Sequence, residues 1–202
     1  MARGIKAREK SKIREYIEII VTAVVLALIV RAFVIQSYHI PSESMEDTLL
    51  KGDFLFANKF IYGAKVPFFD WYLPGVRDPK AGDIVIFKYP GDGKTDYIKR
   101  VIAVEGQTVE IKDKKVIVDG VETEEDYTKF VYGDRTRRDY GPYIVPKDHI
   151  FVMGDNRDNS FDSRFWGPLN KKMLRGKALF IYFSVDYDKH WPRFSRIGDL
   201  IH

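Results

Sequence analysis

The 202-residue sequence contains no cysteine. That excludes a disulfide scaffold, thiol catalysis and thiolate metal sites. Histidine is scarce, with only His39, His149, His190 and His202. They lie too far apart to suggest a metal cluster, and no metal or cofactor is expected. A basic body is missing as well. The net charge is +4 at pH 7, but residues 1–15 hold six basic side chains against two acidic ones. The remaining 187 residues carry 27 of each sign. Charge gives no support to a nucleic-acid partner, and none is expected. No 20–50-residue repeat and no βαβ alternation occur, which argues against a solenoid and a doubly wound α/β fold. Long apolar runs are absent but for one.

That run occupies residues 16–35, YIEIIVTAVVLALIVRAFVI. From Ile19 to Val30 only Thr22 is polar. As a helix it covers about 30 Å, the thickness of a bilayer's hydrocarbon layer. Glu18 and Arg31 fall near its ends, where Arg31 can snorkel to headgroups. Two other readings compete. A cleaved leader calls for a small-x-small site after the run, and Arg31 to Ile35 offer none. A buried core helix needs no basic leader. A transmembrane helix is therefore expected, with a lipid bilayer as partner. By the positive-inside rule residues 1–15 form a cytoplasmic tail and residues 36–202 are exported. A single-pass membrane protein with its folded domain on the outer face is the expectation that follows.

Beyond residue 36 the pattern changes to short strands. Residues 51–60, 81–89, 97–104, 107–111, 115–120, 144–156 and 177–185 are brief apolar or alternating runs bounded by Gly, Asp and Pro. Asp113–Lys114 and Asp119–Gly120 predict hairpin turns, and residues 171–176 a helical turn. The expected fold is a mostly β, hairpin-rich domain tethered by one N-terminal helix. Residues 121–143 are polar, with Arg135, Arg137 and Arg138 close together, and predict a surface excursion. Residues 60–79 carry Phe60, Tyr62, Phe68, Phe69, Trp71 and Tyr72. A segment this aromatic either packs on the core or meets an apolar partner such as the membrane interface.

Three segments carry chemistry: residues 38–53, YHIPSESMEDTLLKGD; 96–106, DYIKRVIAVEG; and 153–169, MGDNRDNSFDSRFWGPL. Each alone has a plain explanation as a loop or cap, a strand edge, or a turn. In this order, behind a basic tail and an apolar span, they resemble the type I signal peptidase family, membrane-bound serine proteases that use a Ser–Lys dyad. The third segment matches the family pattern over more than ten consecutive residues. Two positions depart from it: Glu43 stands where the family often has glycine, and Asp47 where it often has proline. Some members carry a second span near the N-terminus.

The resemblance implies roles. Ser44 is the nucleophile and Lys99 the general base. Ser42 and the Ser44 N–H hold the oxyanion. Ser160 orients Lys99. Arg100 with Asp155, and Asp162 with Arg164, form structural ion pairs. Tyr38, Ile40, Met45, Leu49 and Ile98 line the substrate pocket. The substrates are signal-peptide-bearing precursor proteins. A Ser–Lys self-cleaving repressor and a non-catalytic tethered β domain remain as alternatives.

The residues fit this chemistry on their own terms. A serine hydroxyl needs a base. A lysine serves only when neutral, and apolar surroundings such as Tyr97, Ile98, Val101 and Ile102 disfavour the ammonium. On a strand Lys99 and Arg100 point to opposite faces, which predicts different partners. His39, five residues before Ser44, suggests a Ser–His pair, but a histidine so close in sequence rarely reaches round to its serine. The Asp155-to-Ser160 run fails as a calcium loop, because its third position is Arg157 and its sixth is Ser160. Only eight residues separate Ile35 from Ser44, at most about 30 Å, which keeps the nucleophile near the membrane surface.

Overall fold

The computed structural model describes residues 12–63, 71, 73–130 and 139–202. Helix α1 runs Lys12–Phe33, two residues short of the expected end of the apolar run. It carries isoleucine, valine and leucine all round. Ile17, Ile20, Val24, Val25 and Leu28 are exposed. Among the described residues, no helix is long and apolar enough to cross a membrane. The side chains at positions 29, 32 and 33 lie outside the description.

Strands follow in quick succession: β1 (Ile35–His39), β2 (Asp53–Asn58), β3 (Ile84–Lys88), β4 (Asp96–Val104), β5 (Thr108–Lys112), β6 (Lys115–Val118), β7 (Val121–Glu122), β8 (Tyr140–Ile144), β9 (His149–Met153), β10 (Leu169–Asn170), β11 (Leu174–Asp186) and β12 (Trp191–Pro192). A one-turn helix α2 spans Ser163–Trp166. The main antiparallel sheet has the order β1-β2-β11-β3-β4-β9-β10, with β12 on β11. A second sheet has the order β7-β6-β5-β8.

The local sequence explains much of this. β2 alternates buried Asp53, Leu55 and Ala57 with half-buried Phe54, Phe56 and Asn58. β4 has no such alternation, because it is central and buried on both faces from Ile98 to Ala103. One face joins Ile84, Ile86, Ile98, Leu49 and Leu55. The other joins Val85, Phe87 and Val101, with Tyr97 and Trp166 against them. Both anticipated hairpin turns form. Asp113 and Lys114, then Asp119 and Gly120, all take positive φ, as two-residue turns of this twist require. Lys171–Met173 is the helical turn, in 3-10 form. β11 carries irregularities in register against both β2 and β3, which curl the sheet around the core.

The aromatic 60–79 segment is described in part. The Tyr62 hydroxyl donates to Asp83 Oδ2 at 2.8 Å, so its start is pinned to the body. Phe68, Phe69 and Tyr72 lie outside the described residues, as do Arg135, Arg137 and Arg138 of the expected excursion.

Candidate active site

The sheet order puts β1 and β4 on opposite sides of a cleft, both running toward the same end. Past β1 the ladder with β2 extends one residue, through Ile40 N–H to Asp53 O at 2.9 Å. The chain then turns tightly, with Glu46 N–H on Glu43 O and Leu49 N–H on Met45 O. Ser44 lies inside that turn, 9% exposed. β4 delivers Lys99, 3% exposed, and its Nζ lies 2.7 Å from Ser44 Oγ and 2.9 Å from Ile98 O. The two residues are 55 positions apart, so this contact exists only through the fold.

Burial pushes the Lys99 amine down to about 8, against the opposing pull of the Asp162 and Asp155 carboxylates. Desolvation wins because, among the described residues, the amine has no carboxylate hydrogen bond; its partners are a hydroxyl and a carbonyl. A neutral amine can donate to Ile98 O and accept the Ser44 proton. The Ser42 hydroxyl is exposed at the mouth of the turn, 3.5 Å from Ser44 Oγ. Among the described residues, no acceptor takes the Ser44 N–H.

The adjacent Arg100 goes elsewhere, as strand alternation requires. Its guanidinium grips Asp155 through two hydrogen bonds of 2.9 and 2.7 Å, and lies over the Tyr127 ring. Thr48 Oγ1 adds a 2.6 Å bond to the same carboxylate. Asp162 pairs with Arg164 at 2.8 Å and caps α2.

Ser160 departs from expectation. Its hydroxyl donates to Asp162 Oδ2 at 2.6 Å rather than contacting Lys99. A carboxylate is the stronger acceptor, and it sits two residues away. Met45 and Leu49 also depart. Both are fully buried in the core beneath the turn, one helical step apart, and do not line the cleft. Tyr38, Ile40 and Ile98 do line it, in a cavity of about 520 Å³ that also takes in Ser42, Ser44, Lys99 and Ser160. Burial, and then the Asp96 carboxylate, hold the Tyr38 phenol above its ordinary range, so it stays neutral. His39 borders the cavity, but its Nε2 bonds the Tyr187 hydroxyl at 2.9 Å.

A family model described as signal peptidase, peptidase S26, matches residues 13–183. The chain belongs to the signal peptidase family, peptidase S26. It is 37% identical to a signal peptidase I P of Bacillus subtilis subsp. natto, over 91% of this chain and 96% of that protein. It is 34% identical to a signal peptidase I of Pseudomonas fluorescens, over 86% and 74% of the two chains. A crystal structure of a signal peptidase I from Enterococcus faecalis aligns with a TM-score of 0.45 at 28% identity, covering 51% of this chain and 98% of that one.

Of the two departures from the family pattern, one has a backbone consequence. Asp47 takes φ 79°, which a proline ring, locked near −65°, cannot adopt. Its carboxylate meets Lys129 at 3.1 Å. Glu43 meets the third motif twice: its carbonyl accepts Asn156 Nδ2 at 3.2 Å and its carboxylate accepts Asn159 Nδ2 at 3.5 Å.

Asn156 and Gly154 also meet Ser44, although the roles above do not include them. Asn156 N–H donates to Ser44 O at 3.2 Å, so the third motif holds the Ser44 peptide group. A Cβ on Gly154 would stand 2.4 Å from Ser44 O and 2.3 Å from Ser160 Oγ. Only glycine admits that approach. The available signal was a glycine directly after a buried strand run, a mark of close backbone contact.

Proposed function

We propose that Ser44 and Lys99 are the catalytic dyad of this enzyme and that α1 holds it at a membrane surface. The reaction follows from the family: the chain is a serine endopeptidase that removes signal peptides from precursor proteins. One observation carries the dyad, the desolvated Lys99 amine 2.7 Å from the Ser44 hydroxyl. A purely binding domain has no use for that pair.

In the reaction Lys99, as free amine, takes the Ser44 proton while Oγ attacks the carbonyl of the scissile bond. The Ser44 N–H and the Ser42 hydroxyl receive the oxyanion. Lys99 then gives its proton to the leaving nitrogen, and the C–N bond breaks to leave an acyl-enzyme. Water, losing its proton to Lys99, releases the acid and restores Ser44. Asp155–Arg100 and Asp162–Arg164 brace the segment that grips the Ser44 peptide. Ser160 acts as a positioning residue through Asp162.

The substrate binds as an added strand. β9 pairs with β4 only from Arg100 onward, so residues 96–99 keep an open edge facing the cleft. The aliphatic wall of Ile40, Ile86 and Ile98 suits small side chains at the first and third positions before the cut. Incubation of the protein with a purified precursor should yield a product whose N-terminus follows a small-x-small site. An uncut precursor would refute the reading.

Ser42→Ala should lower kcat by about a hundredfold or more and leave KM nearly unchanged, since the donor works in the transition state. A change confined to KM would move Ser42 to substrate binding. For the anchor, the support is the apolar circumference of α1 and the basic residues preceding it. Removal of residues 12–33 should release the protein from membranes. Retention in the membrane fraction would place the attachment elsewhere.

A further inference from the structure

The cleft has two walls of different chemistry. The aliphatic wall lies on the face of β4 that carries Ile98, and its members are buried, Ile40 at 2% and Ile98 at 8% exposure. The opposite wall lies on the face that carries Tyr97 and Lys99, and it is aromatic and open. Phe161 and Phe165 border the same cavity at 48% and 44% exposure. Their rings are 5.3 Å apart. Behind them Tyr89 stacks on Tyr97 at 4.8 Å and meets Phe161 at 6.0 Å. The Tyr97 ring lies 5.5 Å from Lys99 Nζ, so this shelf begins at the dyad itself.

The rings are held in place: Tyr89 and Tyr97 are half-buried, and Phe161 and Phe165 stand more exposed in front of them. Tyr89 and Tyr97 are fixed from behind by Phe87 and Trp166. Phe161 follows Ser160, whose hydroxyl is fixed by Asp162. An extended peptide in the cleft alternates its side chains between the two walls. With the residues one and three before the cut on the aliphatic wall, the residue two before it faces the other way. We propose that Phe161, with Tyr97 and Phe165, forms a specificity subsite that favours a bulky apolar or aromatic side chain at the middle position of the small-x-small site. This inference rests on the reading of Ser44 and Lys99 as the dyad. It assigns a selective role to the one substrate position that a small-x-small rule leaves free.

The test uses two purified precursors identical except at that middle residue, one with Phe and one with Gly. The readout is the ratio of their kcat/KM values on a single enzyme preparation. Partial unfolding lowers both rates alike and leaves the ratio unmoved. The wild type should prefer Phe by roughly three- to tenfold, the gain expected of aromatic pairing. In Phe161→Ala the ratio should fall to about one, and Phe161→Tyr should restore it. A wild-type ratio of one or less would overturn the subsite, as would a preference that survives in Phe161→Ala. Failure of the wild type to cut either precursor would overturn the dyad reading, and this inference with it.

Discussion

Ser44→Ala should fold normally and cleave nothing. The substitution removes one oxygen whose partners are the Lys99 amine and, at 3.5 Å, the Ser42 hydroxyl. Lys99 keeps its bond to Ile98 O, so no buried amine is stranded. The stability change should stay within about 1 kcal/mol, the net worth of one hydrogen bond. The rate change is of a different order. Without the nucleophile no acyl-enzyme forms, and a loss on the order of 10⁵–10⁶ in kcat is expected. The turn itself survives, because Met45 and Leu49 anchor it in the core and Asn156 N–H holds the residue-44 carbonyl. Precursor cleavage beside a denaturant melt checks both halves. Near wild-type turnover would remove Ser44 from its role.

Lys99→Met should abolish cleavage as completely and leave the protein as stable as the wild type, or more so, near neutral pH. The sign follows from the depressed amine. In the unfolded chain the amine holds its proton up to about 10.5; in the folded protein burial releases it at about 8. The unfolded state thus binds more protons between those limits, and stability rises with pH across them. Below about 8 the full penalty for burying Lys99 is present, on the order of 3 kcal/mol. Methionine carries no such penalty and fills a similar volume. In the wild type, kcat/KM should climb about tenfold per pH unit up to about 8 and then level as the free amine becomes the main form. A limb that rises only near 10, together with a less stable Lys99→Met, would make Lys99 an ordinary charged lysine.

The legible parts of the molecule were those set by local chemistry. Asp113–Lys114 and Asp119–Gly120 gave the β5–β6 and β6–β7 turns, because aspartate and glycine mark such turns. Short apolar runs gave β2 to β6, β9 and β11. β1 escaped notice, since Ile35–His39 reads as the tail of the apolar run and its partner β2 lies 14 residues beyond its end. Arg100 and Asp155 met as the resemblance implies, and opposite charges give such a pair its reason. The misplaced residues share a different cause. Met45 and Leu49 carry no mark of which side of a turn they take, and both went to the core. The Ser160 hydroxyl donates to Asp162 Oδ2, a pairing that only the fold reveals. The aromatic wall was invisible for a related reason: Tyr89 and Tyr97 come from one stretch, Phe161 and Phe165 from another, and only the fold brings the two together.

The most direct test of the dyad is acylation. The intact protein is treated with a serine-reactive acylating agent across pH 6 to 10, and its peptides are mapped by mass. The account predicts one adduct, on Ser44, forming at a rate that rises with pH up to about 8, with no adduct in Lys99→Met. An adduct on another serine, or labelling of Lys99→Met at the wild-type rate, would contradict it.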